Sequence, residues 1–223
     1  MGVSLTPYKI CNFDCVYCQL GKTRYLSCER KEYAKTEDIL EELRNWLYNH
    51  PKEAESLNYI TLSGFGEPTL NINLGRIIQE IKKVSSFPVA LITNSSLLFN
   101  PQIRLEISIL DLIIPSLDAV EPRIFKKINQ PHQDLQLEKI IEGLINLRKE
   151  TKTKIWLEVM LIKKINDDLR HIKKLKRIID LINPDKIQLN SPLRPTAEPG
   201  LSSVDKSKLK KIKDLLGETC EII

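Results

Sequence analysis

Short apolar runs alternate with longer amphipathic stretches along the whole chain, the pattern of a parallel sheet wound with helices. The short runs predict strands at Val3–Thr6, Tyr59–Ser63, Val89–Thr93, Leu110–Pro115, Ile155–Ile162 and Lys186–Leu189. The longer ones predict helices at Thr36–Asn49, Asn73–Val84, Gln136–Glu150, Asp168–Ile182 and Asp205–Leu216, with a short helix opened by Pro101 over 101–105. In the first helix Ile39, Leu43, Trp46 and Leu47 share a face, and Thr36 suits the N-cap. Six strands, each followed by a helix, cannot close as an eight-stranded barrel. The expected fold is α/β, an open partial (β/α)6 barrel of parallel strands with outer helices. Its bare edges need cover, and its functional groups should gather at the C-terminal ends of the strands. No linker, low-complexity tract or repeat beyond this alternation is visible, so residues 1–223 are expected to form one domain.

Composition changes this picture little. The chain is 42% hydrophobic and 28% charged, as in ordinary globular proteins. No run of about 18 apolar residues exists to span a membrane. The start, Met1-Gly2-Val3-Ser4-Leu5, lacks the basic and apolar regions of a signal peptide, so a cytoplasmic protein is expected. The net charge of +5 is mild. Basic runs at 171–177 and 206–213 fall on predicted helices; such runs are usually solvated faces, and they permit an RNA partner without requiring one.

Chemistry concentrates at Cys11, Cys15 and Cys18, three of the five cysteines, spaced C-x3-C-x2-C. An odd cysteine count with three thiols so close argues for metal rather than a disulfide framework. Three thiolates fix three irons of a four-iron cluster and leave one corner open for a ligand. Two alternatives stand beside that. Cys28 could add a fourth thiolate for zinc or for a closed structural or electron-transfer cluster, or positions 11, 15 and 18 could lie on one face of a helix as plain core. Cys220 stands alone.

With Tyr17 before the third cysteine, the motif resembles the signature of the radical S-adenosylmethionine (SAM) enzymes. Leu5-Thr6-Pro7-Tyr8-Lys9, Ser63-Gly64-Phe65-Gly66-Glu67-Pro68-Thr69-Leu70, Thr93-Asn94-Ser95, Pro115-Ser116-Leu117-Asp118-Ala119, Ile128-Asn129-Gln130-Pro131-His132 and Leu189-Asn190-Ser191-Pro192 extend the likeness in order. Together they resemble the wyosine-synthase-related branch, many of whose microbial members have no assigned substrate. Only three cluster cysteines match, so the likeness does not reach the second cluster of the wyosine-forming enzymes.

The resemblance implies a [4Fe-4S] cluster on Cys11, Cys15 and Cys18 with SAM on the open iron. SAM is then cleaved to a radical that abstracts hydrogen from a substrate such as a tRNA base. It also implies an electron donor such as ferredoxin or flavodoxin, and no membrane. SAM contacts would fall to Tyr17, Gly64, Gly66, Glu67, Asn94, Ser116, Asp118 and Asn190. Physically, the two glycines let a ligand approach the backbone, and Glu67 can accept from the methionine ammonium. Asn129, His132 and Arg194 would belong to the substrate pocket. Glu158 shares a strand face with Trp156, Met160 and Ile162, where a carboxylate needs a partner. That partner is either a ligand in the lumen or a lysine such as Lys163. An RNA-binding module with a vestigial site is a further reading.

Overall fold

A computed structural model describes the whole chain, Met1–Ile223. Seven parallel strands form one sheet: β1 (Gly2–Val3), β4 (Ile60–Leu62), β5 (Val89–Thr93), β6 (Leu112–Pro115), β7 (Lys154–Met160), β8 (Lys186–Asn190) and β9 (Cys220–Ile222), paired in that order. A separate parallel pair, β2 (Ile10–Cys11) and β3 (Tyr25–Leu26), carries the first cysteine. The helices are α1 (Thr36–Asn49), α2 (Pro51–Ala54), α3 (Leu74–Val84), α4 (Pro101–Ile107), α5 (Pro122–Asn129), α6 (Leu137–Glu150), α7 (Leu169–Ile182) and α8 (Lys206–Leu216).

The strands of the large sheet follow chain order, so every crossover steps the same way. Right-handed crossovers then put all the helices on one face. Period-two alternation shows the result. Ile60, Leu62, Leu91, Ile113, Ile155, Leu157 and Leu189 are fully buried on the helix side. On the opposite face Ile92 remains 37% exposed, and Glu158, Gln188 and Asn190 are half-buried. β1 and β9 are the two edges and do not pair with each other, which leaves the barrel open.

The six expected strands are present, and β9 is a seventh that the sequence pattern did not announce. The first strand ends at Val3 because the Ser4 hydroxyl turns the chain, donating to Thr6 O (2.8 Å) and accepting from Phe65 N (3.3 Å). The residue preceding α1 as its cap is Lys35, not Thr36, whose hydroxyl is buried without a partner. α4 runs to Ile107, and α5 occupies a stretch expected to be loop.

Two strand joints repeat one device. Asp111, just before β6, accepts from Val89 N (2.8 Å) in β5 and from Lys82 (2.7 Å). Asp185, just before β8, accepts from Ile155 N (2.8 Å) in β7 and from Arg148 (2.6 Å). Each carboxylate satisfies the otherwise unpaired N–H at the start of the neighbouring strand.

Candidate active site

The cysteine segment is an irregular loop, so the three thiols do not share a helical face. It is sewn to two neighbours. Ile10 N donates to Phe65 O (3.2 Å), and Glu67 N donates back to Ile10 O (3.0 Å). On the other side Val16 N donates to Ile128 O (2.9 Å), and His132 N donates to Asn12 O (2.9 Å). Asp14 closes the loop by accepting from Thr23 N (2.6 Å).

Gly66 explains the first seam. Its φ is +135°, and a Cβ there would lie 1.8 Å from Ile10 O. A Cβ on Gly64 (φ +116°) would meet Ser4 at 2.8 Å. Both glycines therefore make room for the chain's own β1–β2 segment, where the sequence suggested room for a ligand.

Glu67 is 1% exposed, yet its carboxylate is well provided with donors. Oε1 accepts from Thr69 N (3.1 Å), the Thr69 hydroxyl (2.7 Å) and the Thr93 hydroxyl (2.6 Å), and Oε2 accepts from Asn94 N (2.7 Å). Burial pushes its carboxyl above the ordinary value, against these bonds. Glu67 thus fixes the loop after β4 to the end of β5, which holds Asn94 in place.

Asn94 Nδ2 lies 3.5 Å from Cys11 Sγ and 2.8 Å from Asn12 Oδ1. Asn12, wholly buried, donates in turn to Ser96 (2.7 Å). Asn129 Nδ2 makes the matching approach to Cys15 Sγ (3.5 Å) and donates to Asp118 Oδ2 (2.7 Å). Asp118 Oδ2 also accepts from the Tyr17 hydroxyl, and its Oδ1 accepts from Met160 N (2.9 Å). Ser116 contributes its carbonyl, which accepts from the Ser95 hydroxyl (2.7 Å). Asn129 Oδ1 is buried without a partner beside this network.

Burial pushes the Cys11 thiol up to about 12, helped by the charge of Glu67. Burial, and then the neighbouring Cys11 and Asp118, push Cys15 well above its ordinary value. Cys11 and Cys15 therefore keep their protons until a metal is bound, and metal loading at these two must release them. No three Cys, His, Asp or Glu side chains converge on a single ion, as a mononuclear zinc would need. Cys28 completes no such set. Thiolates of an iron–sulfur cube bind separate irons, so the donors present fit a cluster better than zinc. The two amide-to-sulfur contacts have the geometry of the outer-shell bonds by which proteins orient and tune thiolate ligands.

Tyr17, Gln19, Met160, Asn190 and Arg194 line one cavity of about 270 Å³ at the barrel mouth. Arg194 reaches Gln19 Oε1 at 3.4 Å. Glu158 lies beside it, with Asn190 Nδ2 at 3.4 Å and the Ser116 side chain also favouring its charged form. Burial, and then Asp118, raise its carboxyl above the ordinary value. Lys163 is not its partner, because that ammonium pairs with Asp205 (2.9 Å). His132 is not drawn into the cavity either; its ring meets Asp134. Cys220 is core.

Sequence reasoning passed over Asn12, Thr69, Thr93 and Asn166. Asn166 is fully buried, accepts from Ile162 N (2.7 Å) and donates to Asp118 O (2.9 Å) and Met160 O (2.8 Å). A signal did exist for Asn12, a polar residue between Ile10-Cys11 and Phe13; Asn166 stands in the polar run Lys163-Lys164-Ile165-Asn166-Asp167-Asp168 and gave none.

Residues 5–175 match the family model described as the radical SAM superfamily, and the chain belongs to that superfamily. Within it, the chain is 36% identical over 226 residues to a UPF0026 protein of Methanocaldococcus jannaschii, covering 100% of this chain and 68% of that one. It is also 36% identical over 222 residues to a Brachyspira hyodysenteriae protein named GTPase Obg, of which it spans only 32%. A structure of TYW1 with a lysine-pyruvate adduct bound superposes with a TM-score of 0.71 at 20% identity, covering 96% of this chain and 72% of that one, a likeness of fold. The superfamily uses a [4Fe-4S] cluster and SAM, and the chain is an enzyme of that kind. No helix is long and apolar enough to cross a membrane.

Proposed function

We propose that Cys11, Cys15 and Cys18 ligate three irons of a [4Fe-4S] cluster, with SAM on the fourth, and that the enzyme abstracts hydrogen from an organic substrate at the barrel mouth. The observation that carries this reading is the pair of carboxamides, Asn94 just after β5 and Asn129 at the last residue of α5, brought to the sulfurs of Cys11 and Cys15. When bound, the cluster supplies an electron that splits SAM into methionine and a 5'-deoxyadenosyl radical.

The chain's own residues bind and orient. Tyr17 and Asn190 border the cavity for the nucleoside part of SAM. Asn94, Ser116 and Asp118 stand at the strand ends for its ribose and methionine part, with Glu67 and its glycines holding that rim in shape. Glu158, Asn129 and Arg194 face the substrate. His132 and Lys163 complete the substrate set and are held here by Asp134 and Asp205. A ferredoxin or flavodoxin supplies the electron. On the motif resemblance to the wyosine-synthase branch, a tRNA base is the substrate placed first. The reducing cytoplasm suits such thiols.

The test is anaerobic reconstitution with iron and sulfide, reduction by dithionite, addition of SAM, and assay of 5'-deoxyadenosine. The expected result is product that vanishes in Cys15→Ala. A full, reduced cluster whose EPR signal SAM leaves unchanged, with no product, overturns the reading.

A further inference from the structure

The N-termini of α5 and α7 flank an open groove of about 850 Å³, lined among others by Arg123, Lys127, Arg170 and Lys208. It shares Leu169 and Arg170 with a second hollow of about 360 Å³ that runs along α7 past Lys173, Lys174 and Arg177. Both helices begin at the strand ends that carry the active site, so this trough opens on the rim of the mouth.

Its charge is unbalanced. The two acids that line it are already engaged: Glu121 is held between Lys174 and the buried His171, and Asp168 caps α7 by accepting from Arg170 N (2.9 Å) and His171 N (3.3 Å). Lys208 pairs with Asp167. Arg123, Lys127, Arg170, Lys173 and Arg177 have no anionic partner, and all five are exposed.

This arrangement is costly for the helix. Arg170, Lys173, Lys174 and Arg177 stand three and four residues apart on one face, where like charges repel. Arg170, Lys173 and Lys174 also crowd the N-terminal half of α7, whose end carries the positive dipole charge, while its last turn has no basic residue. A simply solvated face would mix signs; between Asp168 and Asp180 α7 carries no acid at all. A bound polyanion would offset both penalties.

We propose that this trough binds the sugar-phosphate backbone of a polynucleotide and presents part of it to the barrel mouth. As a statement about substrate class this rests on the function proposed above, whereas the binding itself needs neither cluster nor SAM. Five phosphates neutralised on a single strand give a log–log salt slope of about −3.5, so affinity falls about a hundredfold between roughly 50 and 200 mM salt.

The experiment is fluorescence anisotropy of a labelled oligouridine RNA with the full chain, at both salt concentrations. The variant Arg170→Glu/Lys173→Glu/Arg177→Glu should bind at least tenfold more weakly with a shallower slope. The charge-matched control Lys52→Glu/Lys149→Glu/Lys152→Glu, at the far end of the sheet, should bind like the parent. Circular dichroism verifies that both variants are folded. Equal loss in the control overturns the proposal, as does displacement of the RNA by ATP or pyrophosphate at equal phosphate concentration. RNA-independent capture by anionic phosphatidylserine vesicles, lost in the trough variant, overturns it in favour of a membrane surface. Because no SAM is added, failure here leaves the radical chemistry standing, and failure of the radical assay leaves this result intact.

Discussion

The Tyr17 hydroxyl donates to Asp118 Oδ2 across 2.6 Å, joining the cysteine loop to the end of β6. Burial pushes the Asp118 carboxyl up, and the bonds from Tyr17 and Asn129 oppose that push. Tyr17→Phe removes a charge-assisted bond from a nearly buried acceptor and should cost about 1.5–3 kcal/mol. Anaerobic urea denaturation reads the loss. Iron content per chain should be unchanged, since the three thiols remain.

On the proposed ligation, the contacts of Asn94 and Asn129 with the sulfurs of Cys11 and Cys15 would stabilise the more negative, reduced form of the cluster. Asn94→Ala and Asn129→Ala should each move the reduction potential to a more negative value, and together further than either alone. An EPR-monitored redox titration measures it. An unmoved potential in both would show that these amides only support the loop.

Two glycines with positive φ should respond very differently. Gly66→Ala puts a methyl group 1.8 Å from Ile10 O, so the seam between the loop after β4 and β2 must open. The expected cost is about 4 kcal/mol or more, the range of severe mutations. Gly21→Ala meets nothing within 4 Å, and only the left-handed backbone penalty of roughly 1–2 kcal/mol applies. Thermal denaturation of the two variants separates steric clash from conformational strain.

Asp111 and Asp185 lose stability on the acid side. Burial raises both carboxyls, but bonds from Lys82 and Val89 N in one, and from Ile155 N and Arg148 in the other, leave them below 3.8. A depressed folded value means the stabilisation is present above 3.8 and disappears as pH falls through the folded value. Asp111→Asn and Asp185→Asn should each cost roughly 0.5–1 kcal/mol at pH 7 after solvent screening. The gap to the parent should close below pH 3.8, as denaturation across pH will show.

Glu158 has the opposite sign. Its folded value is raised above 4.5, so its contribution is favourable below 4.5 and is lost as pH rises through the folded value. Glu158→Gln should therefore stabilise the ligand-free protein at neutral pH by on the order of 1 kcal/mol, with the gain shrinking as pH falls through the raised folded value and gone below pH 4.5. A variant no more stable at pH 7 than at pH 4 would mean that Glu158 already has an adequate partner.

The sequence made the core of the sheet legible because buried parallel strands read as short apolar runs, and Val89–Thr93 and Thr36–Asn49 stand where the pattern puts them. β9 escaped because Cys220–Ile222 is three residues long and has no periodicity to detect. α5 escaped because Pro122–Asn129 is a mixed eight-residue segment, and only its last two residues fall in a quoted motif, Ile128–His132. At the site, residue types were visible but their partners were not. Glu67 looks the same in sequence whether its carboxylate meets a ligand or Thr69, Thr93 and Asn94. Pairings such as Tyr17 with Asp118 span 101 residues and exist only once the sheet has formed.

That separation has a consequence for synthesis. Cys15 leaves the ribosome 114 residues ahead of Asn129, the amide that comes to lie beside its sulfur. At about 5–20 residues per second, the nascent thiol waits roughly 6–23 s for that cover. Asn166, which braces Asp118 from behind, arrives later still. Oxygen and stray metal ions thus meet these thiols on the growing chain before the loop can shield them, so cluster delivery belongs after the β7–α7 turn has emerged.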